Sequence, residues 1–113
     1  MTRIKRPKSV KSRTYHSRCG CGDIFTTCSD LDGKLFEVFA TLGKAGGCGQ
    51  ANKTSVGKLI STALRSGTDP KDLIKAIDGV SCHMANSNTG TLSCLDAVAQ
   101  DIKLHELEKT KLL

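Results

Sequence analysis

The sequence predicts an α+β fold: a small antiparallel sheet of about three strands, followed by three helices packed on it. Strand-like runs separated by turn signals fill residues 14–42, helical spacing takes over from Gln50, and glycine or proline punctuates the changes. "TYHSRCGCGDIFTTCS" reads as two short strands broken by a turn at Cys19 to Gly22. Asp32-Gly33 signals a second tight turn. "LFEVFATLG" is the third strand, with Phe36, Val38 and Ala40 toward one face and Glu37, Phe39 and Thr41 toward the other.

From Gln50 to Ser66, Val56, Leu59, Ile60, Ala63 and Leu64 recur at helical spacing, and Gly67 is placed to cap the end. Gly57 weakens this helix and so implies close packing against a neighbour. A second helix has Asp69 as N-cap, Pro70 at its first position, Asp72 in its first turn, an apolar face of Leu73, Ile74 and Ile77, and Gly79 as its stop. Residues 83–91, "HMANSNTGT", read as a polar loop. Ser93 and Asp96 then form a capping pair for a third helix bearing Leu95, Val98, Ala99 and Ile102. The closing "HELEKTKLL" either extends that helix or frays, which divides the chain into 1–13, 14–106 and 107–113.

With no Trp, one Tyr and three Phe, the core is small, and a structural cross-link or metal gains weight. No stretch reaches membrane-spanning length and the N-terminus lacks a secretory apolar core, so the expected compartment is the cytoplasm. The formal charge of +6 resides in residues 1–13, where Arg3, Lys5, Arg6, Lys8, Lys11 and Arg13 stand without an acid. Such a tail suits nucleic acid or an acidic partner; the plainer reading is a disordered, solubilising arm.

Of six cysteines, four stand at element boundaries. Cys21 precedes a strand, Cys48 precedes a helix, Cys82 follows Gly79, and Cys94 opens the third helix. Four thiolates suit a tetrahedral metal, although no two of these four are spaced as in a short zinc knuckle. A redox pair of Cys82 and Cys94, or buried thiols acting as small apolar residues, fit the same positions. Cys19 and Cys28 are extra thiols, Cys28 near a strand end. Of His16, His83 and His105, only His83 beside Cys82 is kept as an alternative ligand; the others read as solvated.

The segment "FEVFATLGKAGGCGQANKTSVGKLISTALRSGTDPKDLIKAIDGVSC" followed by "TLSCLDAVA" resembles the TSCPD domain. That domain occurs at the C-terminal end of vitamin B12-dependent (class II) ribonucleotide reductases and as small stand-alone proteins. The similarity spans roughly residues 14–106, with Gly43, Lys44, Gly46, Gly47 and Cys48 and "LRSGTDP" as its specific runs. The resemblance implies a four-cysteine metal site at Cys21, Cys48, Cys82 and Cys94, holding zinc or iron, with Cys19 and Cys28 outside the pattern. The sequence departs at Leu95, where the family's name-giving motif has proline.

The chain has no room for a reductase barrel and no Ser-His-Asp set, so catalysis is not expected. Two functions remain. One is a non-catalytic metal-binding accessory or interaction module, with a class II ribonucleotide reductase as partner and a tail that touches nucleic acid or an acidic surface. The other is a small nucleotide-binding protein, in which Gly43, Lys44, Gly46 and Gly47 of the Gly43-to-Gly49 loop cradle a phosphate before a helix. That loop lacks the Gly-Lys-Ser/Thr ending of a nucleotide-hydrolysing loop, and its glycines also suit a chain wrapped around a metal at Cys48.

Overall fold

A computed structural model describes residues 5–19, 22–42, 47–80 and 94–112; side chains at 19, 42, 47–53, 94 and 110–112 lie outside that description. Three strands, β1 (Lys11–Cys19), β2 (Gly22–Leu31) and β3 (Lys34–Leu42), form an antiparallel sheet in the order β1-β2-β3. Three helices follow: α1 (Gly47–Arg65), α2 (Pro70–Ile77) and α3 (Cys94–Leu112). The β2–β3 turn is Asp32-Gly33, both at positive φ (54° and 79°), which matches the twist of a two-residue hairpin.

Tyr15 stands opposite Thr26, and Thr27 opposite Phe39. Because side chains alternate along each strand, one face collects Tyr15, Ser17, Ile24, Thr26, Cys28, Val38 and Ala40. This is the covered face: α1 packs along β3, α3 lies over β1 and β2, and α2 leans on α3. The core joins Ile24, Cys28, Val38 and Ala40 to Ile60 and Leu64 of α1, Ile74 of α2, and Val98 and Ile102 of α3.

Gly57 explains the seat of α1. A Cβ there would come within 3.1 Å of the Val38 carbonyl oxygen, so only glycine allows this approach without displacement. Seating residues 57, 60, 61 and 64 inward turns position 59 about 200° away from 57. Leu59, expected on the buried face, is accordingly 69% exposed. Ser61, buried on α1, donates its hydroxyl to the Val38 carbonyl and accepts from the Val38 N–H, both at 3.0 Å. It thereby satisfies mid-strand backbone that β3, at the sheet edge, offers to no other strand. Ser61→Ala is expected to cost about 1–3 kcal/mol in a denaturant titration, because both groups stay buried without their partner.

The caps of α2 are as the sequence implies. Asp69 accepts from the Lys71 N–H at 3.0 Å, Pro70 opens the helix, and Gly67 and Gly79 take positive φ. Three boundaries differ from expectation, the first being α1, which opens at Gly47 rather than Gln50 and so takes Cys48 into its first turn. β1 begins at Lys11 rather than Thr14, since Lys11, Ser12 and Arg13 pair with Asp30, Ser29 and Cys28 of the long β2. Arg6 also reaches the sheet, its Nε 2.8 Å from Glu37 Oε2. At the other end α3 continues to Leu112, so the closing segment extends the helix, tied down by Arg13–Glu108 and Lys109–Asp30 ion pairs. The polar stretch at 83–91 lies outside the described residues.

Candidate metal centre and the polar seam beneath α3

The directions of the elements fix which of their ends lie together. Cys19 pairs with Gly22 and Ile24 with Leu42, so the β1–β2 link and the exit of β3 share one end of the sheet. α1 runs antiparallel to β3, since Gly57 approaches Val38 to Ala40 while the Arg65 guanidinium lies 5.2 Å over the Phe36 ring. α3 runs antiparallel to β1, with Asp101 bonded to Ser17, His105 to Tyr15 and Glu108 to Arg13. The N-termini of α1 and α3 therefore both point to the end of the sheet that bears the β1–β2 link. The Gly79 N–H donates to Asp96 Oδ1 at 2.9 Å, which brings the exit of α2 to the start of α3 as well.

Cys48 is the second residue of α1 and Cys94 the first of α3, with both side chains outside the description. Cys21, Cys82 and His83 lie outside the described residues, and so do Gly43, Lys44 and Gly46 of the glycine loop; Gly47 opens α1. Among the described residues no three His, Cys, Asp or Glu side chains form a metal-ligating group. None of the described helices is long and apolar enough to cross a membrane.

Cys28 is the cysteine whose side chain is described. It is fully buried in the interior of β2, not near its end, and serves as core. Burial pushes its thiol up to about 12, and the Asp101, Asp30 and Glu106 carboxylates push the same way. A thiol so held is neither a ready ligand nor a nucleophile at neutral pH.

His105, expected in solvent, is instead buried at 4% exposure under α3. Its Nε2 lies 2.9 Å from Asp30 Oδ2 and its Nδ1 2.9 Å from the Tyr15 hydroxyl. A carboxylate only accepts, so Nε2 carries a proton, and in the neutral ring Nδ1 accepts from the phenol. Lys109 completes the seam at 3.1 Å from Asp30 Oδ1. The phenol of Tyr15 is pushed up to about 12 by burial and by Glu108, against the pull of Arg13. It stays protonated, so the Tyr-His-Asp chain ties α3 to the sheet rather than arming a nucleophile. A sequence signal existed: His105 follows Val98 and Ile102 at helical spacing, on the buried side.

Asp101 sits one turn earlier, 4% exposed, accepting from the Ser17 hydroxyl at 2.5 Å through Oδ1. Its Oδ2 and the Thr26 hydroxyl are both buried and make no hydrogen bond of good geometry, although the hydroxyl is near enough to favour the charged carboxylate. Burial raises the Asp101 pKa, with the Ser17 and Thr26 hydroxyls opposing. A folded-state pKa above the unfolded value favours folding fully at low pH, and that advantage is lost as pH rises through the folded value. Asp101→Asn is therefore expected to melt higher than the parent at pH 7, the two converging below the ordinary carboxylate range near about pH 3. Thermal melts across that range check it.

No curated protein and no solved structure matches the chain. A family model does: the TSCPD domain matches residues 2–106 of the 113, so it takes in the sheet, α1, α2 and most of α3. Matched over residues 2–106, the chain belongs to the TSCPD domain family.

Proposed function

We propose that the chain is a non-catalytic, zinc-binding accessory or interaction module, related to the C-terminal domain of class II ribonucleotide reductases. Cys21, Cys48, Cys82 and Cys94 would be the ligands. The observation that supports this is the common end shared by the β1–β2 link, the starts of α1 and α3, and the exit of α2. Each of the four cysteines is at, or within five residues of, one of those points in the sequence. Helix N-termini there offer backbone amides that favour thiolate. Four thiolates closing a tetrahedron leave no open position, so the ion would clamp the elements and activate no water. The basic arm before β1 would contact a partner surface or nucleic acid.

Elemental analysis of the purified chain, together with capture of a class II ribonucleotide reductase on the immobilised module, tests the reading. One zinc per chain and retention of the reductase are expected. A fully folded, metal-free chain overturns the metal half, and a reductase that passes through unretained overturns the partner half.

A second reading, phosphate binding by the Gly43-to-Gly49 loop, draws on the start of α1 at Gly47 with no acid in its first turn. Nucleotide-dependent thermal shifts lost in Lys44→Glu would favour it.

A further inference from the structure

The face of the sheet turned away from the helices has chemistry of its own. All three helices pack on the covered face, and among the described residues it is the arm before β1 that approaches the other one, through Arg6 on Glu37. Cross-strand pairing sets two rows there, Thr14–Thr27–Phe39 and His16–Phe25–Thr41. Phe39 is 44% exposed and Phe25 37% exposed, at diagonal positions on neighbouring strands. The His16 ring lies flat against Phe25, with centroids 4.7 Å apart and planes 11° from parallel. Two phenyl rings and an imidazole thus stand together on an open sheet, with threonine hydroxyls between them.

We propose that this face binds single-stranded nucleic acid, stacking bases on Phe25, Phe39 and the His16 ring while the basic arm holds phosphates. Charge selects the partner. The arm before β1 carries four cations, Arg3, Lys5, Arg6 and Lys8, and no acid. The two acids on the face are already engaged: Glu37, 2% exposed, by Arg6, and Asp23 by His16 at 2.9 Å and Arg18 at 3.4 Å. A polyanion meets a positive rim around an aromatic centre. The rings select the strand state, because a flat aromatic surface stacks on bases whose faces are free, and a duplex hides those faces. A second copy of the chain is disfavoured, since pairing these faces would bring two arms of four cations together. An acidic polypeptide would use the cations and leave the rings without a role. The inference takes up the arm of the module proposed above and is independent of its metal.

Fluorescence anisotropy of the full chain tests it, with labelled oligothymidylate of about fifteen nucleotides, the matching duplex, and polyglutamate, at about 50 mM salt. Single strand is expected to bind more tightly than duplex or polyglutamate. Phe25→Leu and Phe39→Leu should each weaken single-strand binding about tenfold, since leucine keeps the apolar bulk and loses the stacking plane. Both rings are partly in solvent, so unchanged melting and zinc content would show that the fold and the proposed metal site are not what was lost. The chain has no tryptophan, so Phe39→Trp introduces a single indole, whose emission should be quenched on titration with the single strand. Equal binding of all three polyanions, leucine variants that bind like the parent, or no binding at all would each overturn the proposal, whatever the zinc analysis shows.

Discussion

Cys48→Ser and Cys94→Ser are expected to lose bound zinc and to lower the melting midpoint so far that much of the chain is unfolded at 37 °C. The magnitude follows from the size of the core and the worth of the ion. A structural zinc in a small domain contributes an apparent ~10–16 kcal/mol, comparable to the whole ~5–15 kcal/mol stability of a typical domain. Here the candidate clamp would join the β1–β2 link, α1, α3 and the exit of α2 at one end of the sheet. The described core contributes a single fully packed seam around Ile24, Val38, Val98 and Ile102. Removing one thiolate opens the coordination sphere and frees that end. Zinc per chain from elemental analysis, with thermal melts before and after chelator treatment, gives the result. Cys19→Ser is the internal comparison and should keep both metal and midpoint. A Cys48→Ser chain that melts with the parent, chelator or none, would sink the structural-zinc reading.

His105→Ala should destabilise the chain by about 3 kcal/mol. The imidazole accepts from Tyr15 and donates to Asp30, and its loss deprives both of a partner while opening a cavity beneath α3. Lys109 still neutralises Asp30, which limits the cost below that of a fully orphaned carboxylate. In a domain of this length, a loss of that size lowers the melting midpoint by roughly 10–15 °C. His105→Gln is the informative companion. Its amide can donate to Asp30 and recovers part of the loss without restoring an imidazole. If the alanine variant melted within a degree or two of the parent, the seam would not be what fastens α3 to β1 and β2.

These two cases divide what was legible. The cysteines at boundaries could be read from one dimension, because an element's start is marked locally by glycine, proline or a capping residue, and Cys48 and Cys94 do sit at the openings of α1 and α3. The strands and helices were legible for the same reason, down to Asp69 as N-cap and Asp32-Gly33 as the hairpin turn. His105, Tyr15 and Asp30 could not be joined that way. They lie on three elements, separated by up to 90 positions, and no spacing rule links residues whose meeting depends on helix direction. Leu59 failed for a related reason: periodicity gives an apolar stripe but not its rotation, which the close approach at Gly57 sets.

By itself the sequence determined the kind and order of the elements, the glycine stop of α1, the caps of α2, and the cations gathered in residues 1–13. Those are local matters of backbone preference and composition. Only the tertiary structure decided which ends of the elements share a pole, that Cys28 is inert core, that His105 is a strut, and that Phe25 and Phe39 stand beside His16 on an open face. Each of these depends on packing between residues distant in the chain, where strand register and helix direction determine which side chains meet.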